Sequence, residues 1–296
     1  MANTLGTTNA NVIAQRALEI LVADYSFLRQ AAVDFSSEAA KYNAYVYTHR
    51  LSALTATDYS QANGYVAAAV TQTDVGIQLD KFKHVSYSVD DQERSTSEVN
   101  LIERFAGAAA HALGLQMVGD LLALVTSASF TSAITVSSAS FSYAWAVSAG
   151  EVLNNNKTPA NDRYAVLAPK FFGSLLKDSN VVANPQISGD AVRNAGLTAV
   201  AGFNINMYPS IPSNSITLGG FFAQREALLI ASRVPDVPQG IEIPGTITNV
   251  TEPRTGLSVQ SREHYDVQKG VVQRTLALIY GVKAGETSSL VRINGS

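Results

Sequence analysis

A chain of 296 residues, 46% hydrophobic and only 15% charged, is long enough to bury a full core yet carries less charge than the roughly one quarter usual for a soluble domain, so much of its surface is expected to be covered by other copies or partners. The net charge of -3 excludes a strong electrostatic grip on nucleic acid over the whole surface, and the absence of cysteine excludes disulfide frameworks, cysteine zinc sites and thiol nucleophiles. The N-terminus lacks the basic-then-apolar order of a secretion signal and no uninterrupted apolar run approaches a membrane span, so a chain made and used in a cytoplasm, away from membranes, is expected.

Residues 11–28 carry Val12, Ile13, Ala17, Ile20 and Leu21 at helical spacing, which predicts a short amphipathic arm. From 42 to 54, Tyr45, Tyr47 and His49 alternate with Val46 and Thr48 and predict a strand; Val75, Ile77 and Leu79, followed by Val85, Tyr87 and Val89, predict a second. Between them lies a polar, alanine-rich span with Asn63-Gly64. The pair reads as a protruding β-hairpin arm with Lys81, Lys83 and His84 clustered on its second strand, and such an arm has too few neighbours in its own subunit to be stable alone.

Residues 97–129 predict a long helix. Ser95, Thr96 and Ser97 offer caps, Glu98 favours the first turn, and Leu101, Phe105, Ala108, Ala112, Leu115, Val118, Leu122 and Val125 recur along it. Its length would be about 45 to 50 Å. Gly107, Gly114 and Gly119 within it imply close approach of another backbone. A serine-, threonine- and alanine-rich transition then leads to a second region from about Phe141. There Trp145, Val147 and Leu153 predict a helix ending near Asn154-Asn155-Asn156. Tyr164 to Leu167 predicts a buried strand, and Pro169 opens a helix with Phe171, Phe172, Leu175 and Leu176. Gly202 to Tyr208 predicts a strand halted by Pro209 and Pro212, and Ser215 to Ala223 another with a break at Gly219-Gly220. Gln224 to Ser232 suits helix or strand. The closing stretch turns at Lys269-Gly270 into Val271, Val272, Leu276, Leu278 and Tyr280, a β-hairpin with a buried second strand, and ends on Leu290-Val291-Arg292-Ile293. This mixed order favours an α+β class over a doubly wound sheet.

Catalytic signals are absent. His49, His84, His111 and His264 lie far apart with no pair at metal-ligand spacing, and no nucleophile elbow, metalloprotease helix, phosphate loop or dinucleotide fingerprint occurs. No enzyme activity, metal or cofactor is expected. Asp90-Asp91-Gln92-Glu93, beside Arg94, reads as a solvated face or an ion pair across a contact. Glu103 and Arg104, with Glu98 and Asp120, could pair with the hairpin lysines of another subunit or could simply be solvated.

The order of these pieces resembles the major capsid proteins of tailed bacteriophages, which share the Hong Kong 97 fold, and within them the short-tailed-phage coat group. The arm with Asn11-Val12-Ile13-Ala14-Gln15-Arg16-Ala17-Leu18-Glu19 and Asp34-Phe35-Ser36-Ser37-Glu38 precedes a long extended loop and a spine helix from Asn100-Leu101-Ile102-Glu103. Gly202-Phe203-Asn204-Ile205 is similar to the axial domain, Gly219-Gly220-Phe221-Phe222 with Ala227-Leu228 to the segment returning from it, and Tyr265-Asp266, Gly270 and Tyr280-Gly281 to the closing hairpin of the peripheral domain. The resemblance implies an N-terminal arm over 1–41, an extended β-hairpin loop over 42–94, the spine helix and peripheral domain over 95–140, an axial domain over 141–232, and a return to the peripheral domain with a C-terminal β-hairpin over 233–296.

It further implies a subunit that forms pentamers and hexamers and closes into an icosahedral shell around double-stranded DNA, touched by weak non-specific contacts. The shell would be assembled in the host cytoplasm and located in the virion capsid, with a portal protein as partner. Because the fold is expected to begin close to Met1, a separate scaffolding protein is expected in place of a built-in one. In this setting Lys81, Lys83, His84, Glu103 and Arg104 are candidate intersubunit contacts, and Arg16 and Arg29 candidate inward-facing charges. Rival readings are an encapsulin-type nanocompartment with the same fold, a soluble α+β enzyme using Asp90, Asp91 and Glu93 with His84, and a tubular tail protein.

Overall fold

The computed structural model describes residues 28–51 except 29, short stretches between 56 and 65, 72–96, 101–182, 197–237 except 198, 245–251 and 257–295. The expected N-terminal arm helix, with Arg16, and the position of Arg29 lie outside the described residues.

Strand β1 (Ala32–Ala40) is followed by the pair β2 (Tyr45–Leu51) and β3 (Gln72–Gln78), then β4 (Lys81–Asp90), the short helix α1 (Asp91–Thr96) and the long helix α2 (Leu101–Leu122). β5 (Ala133–Thr135), α3 (Tyr143–Asn155), β6 (Arg163–Leu167), α4 (Pro169–Leu176), α5 (Ser179–Val182), β7 (Ala199–Val200), β8 (Phe203–Met207) and β9 (Leu218–Gln224) form the middle of the chain. β10 (Leu228–Pro235), β11 (Thr246–Thr251), β12 (Ser258–Asp266), β13 (Val271–Ala284) and β14 (Leu290–Asn294) complete it.

Among the described residues the strands build two six-stranded sheets and one two-stranded ribbon. In the first sheet the 14-residue β13 is the central member, because it pairs antiparallel with β4, β12 and β10, while β1 adds parallel to β10 and β11 to β12. The turn between β12 and β13 is the one expected at Lys269-Gly270. Gly270 sits at φ 63°, a left-handed conformation that a side chain disfavours, and its N–H donates to the Asp266 carbonyl at 2.9 Å. In the second sheet the order is β5-β14-β9-β6-β8-β7.

α2 lies against β4 and β13. Its buried face, Ala106, Ala109, Leu113, Met117 and Leu121, shares one core with Leu276, Leu278 and Tyr280 of the first sheet and with Tyr164, Val166 and Phe221 of the second. The other face of the second sheet, with Ala165, Leu167 and Phe222, packs under Ala146, Ala149 and Leu153 of α3 and Phe171 and Leu175 of α4. Successive residues of β6 thus enter different cores, as the period-two geometry of a strand requires, and all five are buried.

Several sequence expectations are corrected. The run from Val75 to Val89 is not one strand: it breaks at Leu79-Asp80, where Leu79 exchanges backbone hydrogen bonds with Asn43 and Ala44, and the remainder pairs with β13 from Lys81 to Asp90. Lys81, Lys83 and His84 therefore stand in the body of the first sheet and not on the hairpin. The long helix ends at Leu122, short of Ser129, so α2 is about 33 Å long. Its early end has a tertiary cause, since the Asn214 side-chain amide donates to the carbonyls of Leu122 (2.9 Å) and Val125 (2.8 Å). Gly219-Gly220 does not break β9 but makes a bulge, where Ile293 pairs with Gly220 and Asn294 with Leu218. The tail Leu290–Asn294 joins β9 and β5 in the second sheet. Finally, Phe105–Leu122 is long and apolar enough by composition to cross a bilayer, but His111, Gln116 and Asp120 interrupt its apolar run and half of it is buried against the rest of the chain as a core helix.

Candidate intersubunit surface

Among the described residues β2 and β3 pair only with each other, in register from Tyr45 opposite Gln78 to Leu51 opposite Gln72. Alternation gives the ribbon two unlike faces. Val46, Val75 and Ile77 face Leu229, Ala231 and Ile279 in a small apolar cluster that also holds Leu79, so the base of the ribbon is seated on the first sheet. The other face has no apolar cover among the described residues. Tyr45 and Tyr47 are 53% and 58% exposed, their rings 6.0 Å apart, and Gly76 directly opposite Tyr47 leaves the space the rings occupy.

Further along the same face His49 stands opposite Asp74, with Nδ1 2.7 Å from Oδ1, and the Gln72 amide donates to the same carboxylate at 2.9 Å. These hydrogen bonds, from His49 first and Gln72 second, hold the Asp74 carboxyl below its ordinary value. Two straps secure the base: Lys283 Nζ donates to the Gly76 carbonyl (2.8 Å) and the Tyr42 hydroxyl to the Asp80 carbonyl (2.8 Å). A groove of about 350 Å³ between ribbon and body is lined by Thr48, His49, Asn161, Asp162, Arg225 and Glu226. Sequence reasoning found Tyr45, Tyr47 and His49 as a strand face but missed Asp74, Gln72 and Gly76. Their role depends on the register between two strands separated by twenty residues, and nothing local in the sequence carries that register.

The other expected contact residues divide between the two sides of β4. Val85 and Tyr87 pack toward the α2 core, so Lys81 and Lys83, at the same parity, are on the helix side. Lys81 Nζ on β4 lies 3.9 Å from the Asp120 carboxylate on α2 of the same chain, which also accepts the Tyr280 hydroxyl at 2.7 Å. That hydrogen bond and burial raise the Tyr280 pKa, burial being the larger cause. Asp120, weighed as a partner for another subunit's lysines, is thus engaged within its own chain. Phe82, His84, Ser86 and Ser88 are exposed on the opposite, outer face, where Ser86 meets Thr275 at 2.8 Å and His264 lies exposed on β12. Glu103 and Arg104 fall in the first turn of α2.

The acidic run is structural. The Glu93 N–H donates to Asp90 Oδ1 at 2.5 Å while the Glu93 carboxylate accepts from the Asp90 N–H at 3.4 Å, a reciprocal cap at the start of α1. The Tyr265 hydroxyl donates to Asp91 at 2.6 Å, tying this cap to the β12–β13 hairpin. His84 stands six residues back along β4, about 20 Å away along the strand, so the groups of the enzyme reading do not converge. Among the described residues no group of three or more His, Asp or Glu side chains could hold a metal ion.

No protein-family model matches the chain, and no curated protein matches it in sequence. Solved structures do match it in fold. The capsid of the cyanophage P-SCSP1u is similar over 91% of this chain and 88% of its own at a TM-score of 0.65 and 11% identity. The mature capsid of bacteriophage PhiM1 is similar over 90% and 86% at 0.58 and 11% identity. The capsid of a native GTA particle is similar over 92% and 90% at 0.57 and 13% identity.

Proposed function

We propose that this chain, which has the α+β Hong Kong 97-type capsid fold, is a major capsid protein that assembles into pentamers and hexamers of an icosahedral shell. The observation that carries this reading is the fold likeness to capsid subunits over about 90% of the chain. The first sheet with α2 would be the peripheral domain and its spine, the second sheet with α3 and α4 the axial domain, and β2–β3 with the residues between them the extended loop.

The chemistry of the surfaces suits that role. A two-stranded ribbon with one face uncovered gains stability only by lying on another surface, and its exposed Tyr45 and Tyr47 supply large area at low entropic cost. The outer face of the first sheet, with Phe82, His84 and His264, offers a neighbour's ribbon an apolar ring flanked by basic groups for Asp74. Contacts of unlike patches around a ring are heterologous, and they close when the rotation does. Charge of -3 spread over 296 residues suits weak, non-specific contact with packaged double-stranded DNA. A scaffolding protein and a portal protein would be separate partners, and the shell would belong to the virion, assembled in the host cytoplasm.

Sedimentation of the purified chain tests this directly. Rings or shells many times the 31.4 kDa of one chain are expected, enriched when neighbouring genes are co-expressed. A stable 31.4 kDa species under both conditions would contradict the reading.

A further inference from the structure

On the outer face of the first sheet, beside the β12–β13 turn, lies a depression of about 350 Å³ lined by Ser86, Ser88, Val271, Gln273, Asp266 and Lys269. Strand register gathers these residues: Ser88 stands opposite Gln273 across β4 and β13, and Asp266 opposite Val271 across β12 and β13. Val271 supplies an apolar wall, and the hydroxyls, amide and carboxylate supply hydrogen-bonding groups. The turn fixes the rim before anything binds. Asp266 Oδ1 accepts from the N–H groups of Gln268 (3.0 Å) and Lys269 (3.2 Å), which holds Lys269 at the mouth with its side chain 78% exposed.

An aromatic ring with a hydroxyl at its far end matches such a lining. The uncovered face of the ribbon displays two, and Tyr45, Tyr47 and the His49–Asp74 pair follow one another along it at intervals of about 7 Å. Along the first sheet the order is the Ser86–Thr275 pair, the depression and then Lys269, at similar steps. Aligned in this way, the Asp74 carboxylate, oriented by His49 and Gln72, meets the Lys269 ammonium. The ribbon of the same chain cannot make this contact. Gln78, opposite Tyr45, abuts Gly281, and Lys283 bonds to Gly76, opposite Tyr47, whereas Val271 is ten residues back along β13, about 33 Å away.

We propose that the depression receives Tyr47 from the ribbon of a second copy, with Asp74 of that ribbon on Lys269 and Tyr45 over Ser86 and Thr275. The ring of Tyr47 lies on Val271, and its hydroxyl meets the Gln273 amide and the Asp266 carboxylate. This assignment rests on the capsid reading and locates the contact that reading requires. Of the basic groups on the face it gives Asp74 to Lys269, the one at the matching interval.

Sedimentation of the full chain, expressed with its neighbouring genes, tests the assignment. Ser88 is exposed in the single chain, so Ser88→Trp should fill the depression and leave the thermal midpoint within about 2 °C, while the assembled fraction falls at least ten-fold. Lys269→Asp should also reduce assembly, and adding Asp74→Lys to it should restore assembly to within about three-fold of the unsubstituted chain, a rescue that independent structural roles would not give. Assembly of Ser88→Trp at the unsubstituted level, or no rescue by the paired reversal, would overturn the assignment, leave the capsid reading standing and give the depression to a different protein. An unsubstituted chain that remains a single 31.4 kDa species would overturn both.

Discussion

Asp74 and Tyr164 are opposite cases of a polar group's surroundings. The Asp74 carboxylate is held below its ordinary value of 3.8 by hydrogen bonds from His49 and Gln72. A lowered folded pKa contributes stability that is present above the unfolded value and lost as pH falls through the folded one, so the ribbon loses this contact only below about pH 3.8. An NMR titration should place the Asp74 midpoint below 3.8 and return it upward in His49→Ala; an identical midpoint in that variant would contradict the assignment. The Tyr164 hydroxyl is buried without a hydrogen-bond partner among the described residues, and desolvation pushes its pKa up. Tyr164→Phe removes an unsatisfied group at almost constant shape, so denaturant unfolding should show stability unchanged or raised by about 1 kcal/mol. Arg163 is the contrary case, since its guanidinium donates to the carbonyls of Pro159 (2.9 Å) and Thr158 (2.7 Å) and to the Asn154 side chain (2.8 Å), closing the turn after α3. Arg163→Ala should cost about 3 kcal/mol, and Lys, without the planar fork, should not restore it. A loss below about 1 kcal/mol would show that the turn holds itself.

At the scale of elements the β2–β3 ribbon makes the sharpest prediction. Tyr45 and Tyr47 are more than half exposed and contribute little to the monomer's core, so Tyr45→Ser/Tyr47→Ser should leave the thermal midpoint within about 2 °C while abolishing or strongly reducing assembly. Normal assembly would remove the ribbon from the interface. Gly281 is the element's anchor. A methyl group there would run into the Gln78 carbonyl oxygen at the base of the ribbon, so Gly281→Ala should lower stability by about 1 to 3 kcal/mol in thermal unfolding. The sequence made α3, β6, α4, β8 and the β12–β13 hairpin legible, because each carries its own start, stop and period: Pro169 opens α4, Asn154 to Asn156 close α3, and Gly270 turns the hairpin. What stayed illegible was decided at a distance. The end of α2 is set by Asn214, ninety-two residues on from Leu122. The division of β3 from β4 is set by pairing to β13, which no local pattern announces and which moved Lys81, Lys83 and His84 off the ribbon. The pairing of His49 with Asp74 required the register of the whole ribbon.

For the whole molecule, two sheets share one core through α2, while Tyr45 and Tyr47 leave one face of the ribbon exposed. Low charge leaves little repulsion between copies, and in the proposed assembly uncovered surfaces that are complementary rather than identical would build rings in place of two-fold dimers. In the proposed shell, stability would come from many modest contacts acting together, so single outer-face substitutions such as His84→Ala should weaken assembly by degrees, whereas loss of the aromatic face should end it. The measurement that tests the account most directly is cryo-electron microscopy of the particles formed by the chain together with its neighbouring genes. The account predicts closed icosahedral shells in which the β2–β3 ribbon of each subunit lies on the first sheet of the next, with Tyr45 and Tyr47 buried between them. Small discrete oligomers, or shells in which those tyrosines face solvent, would contradict it.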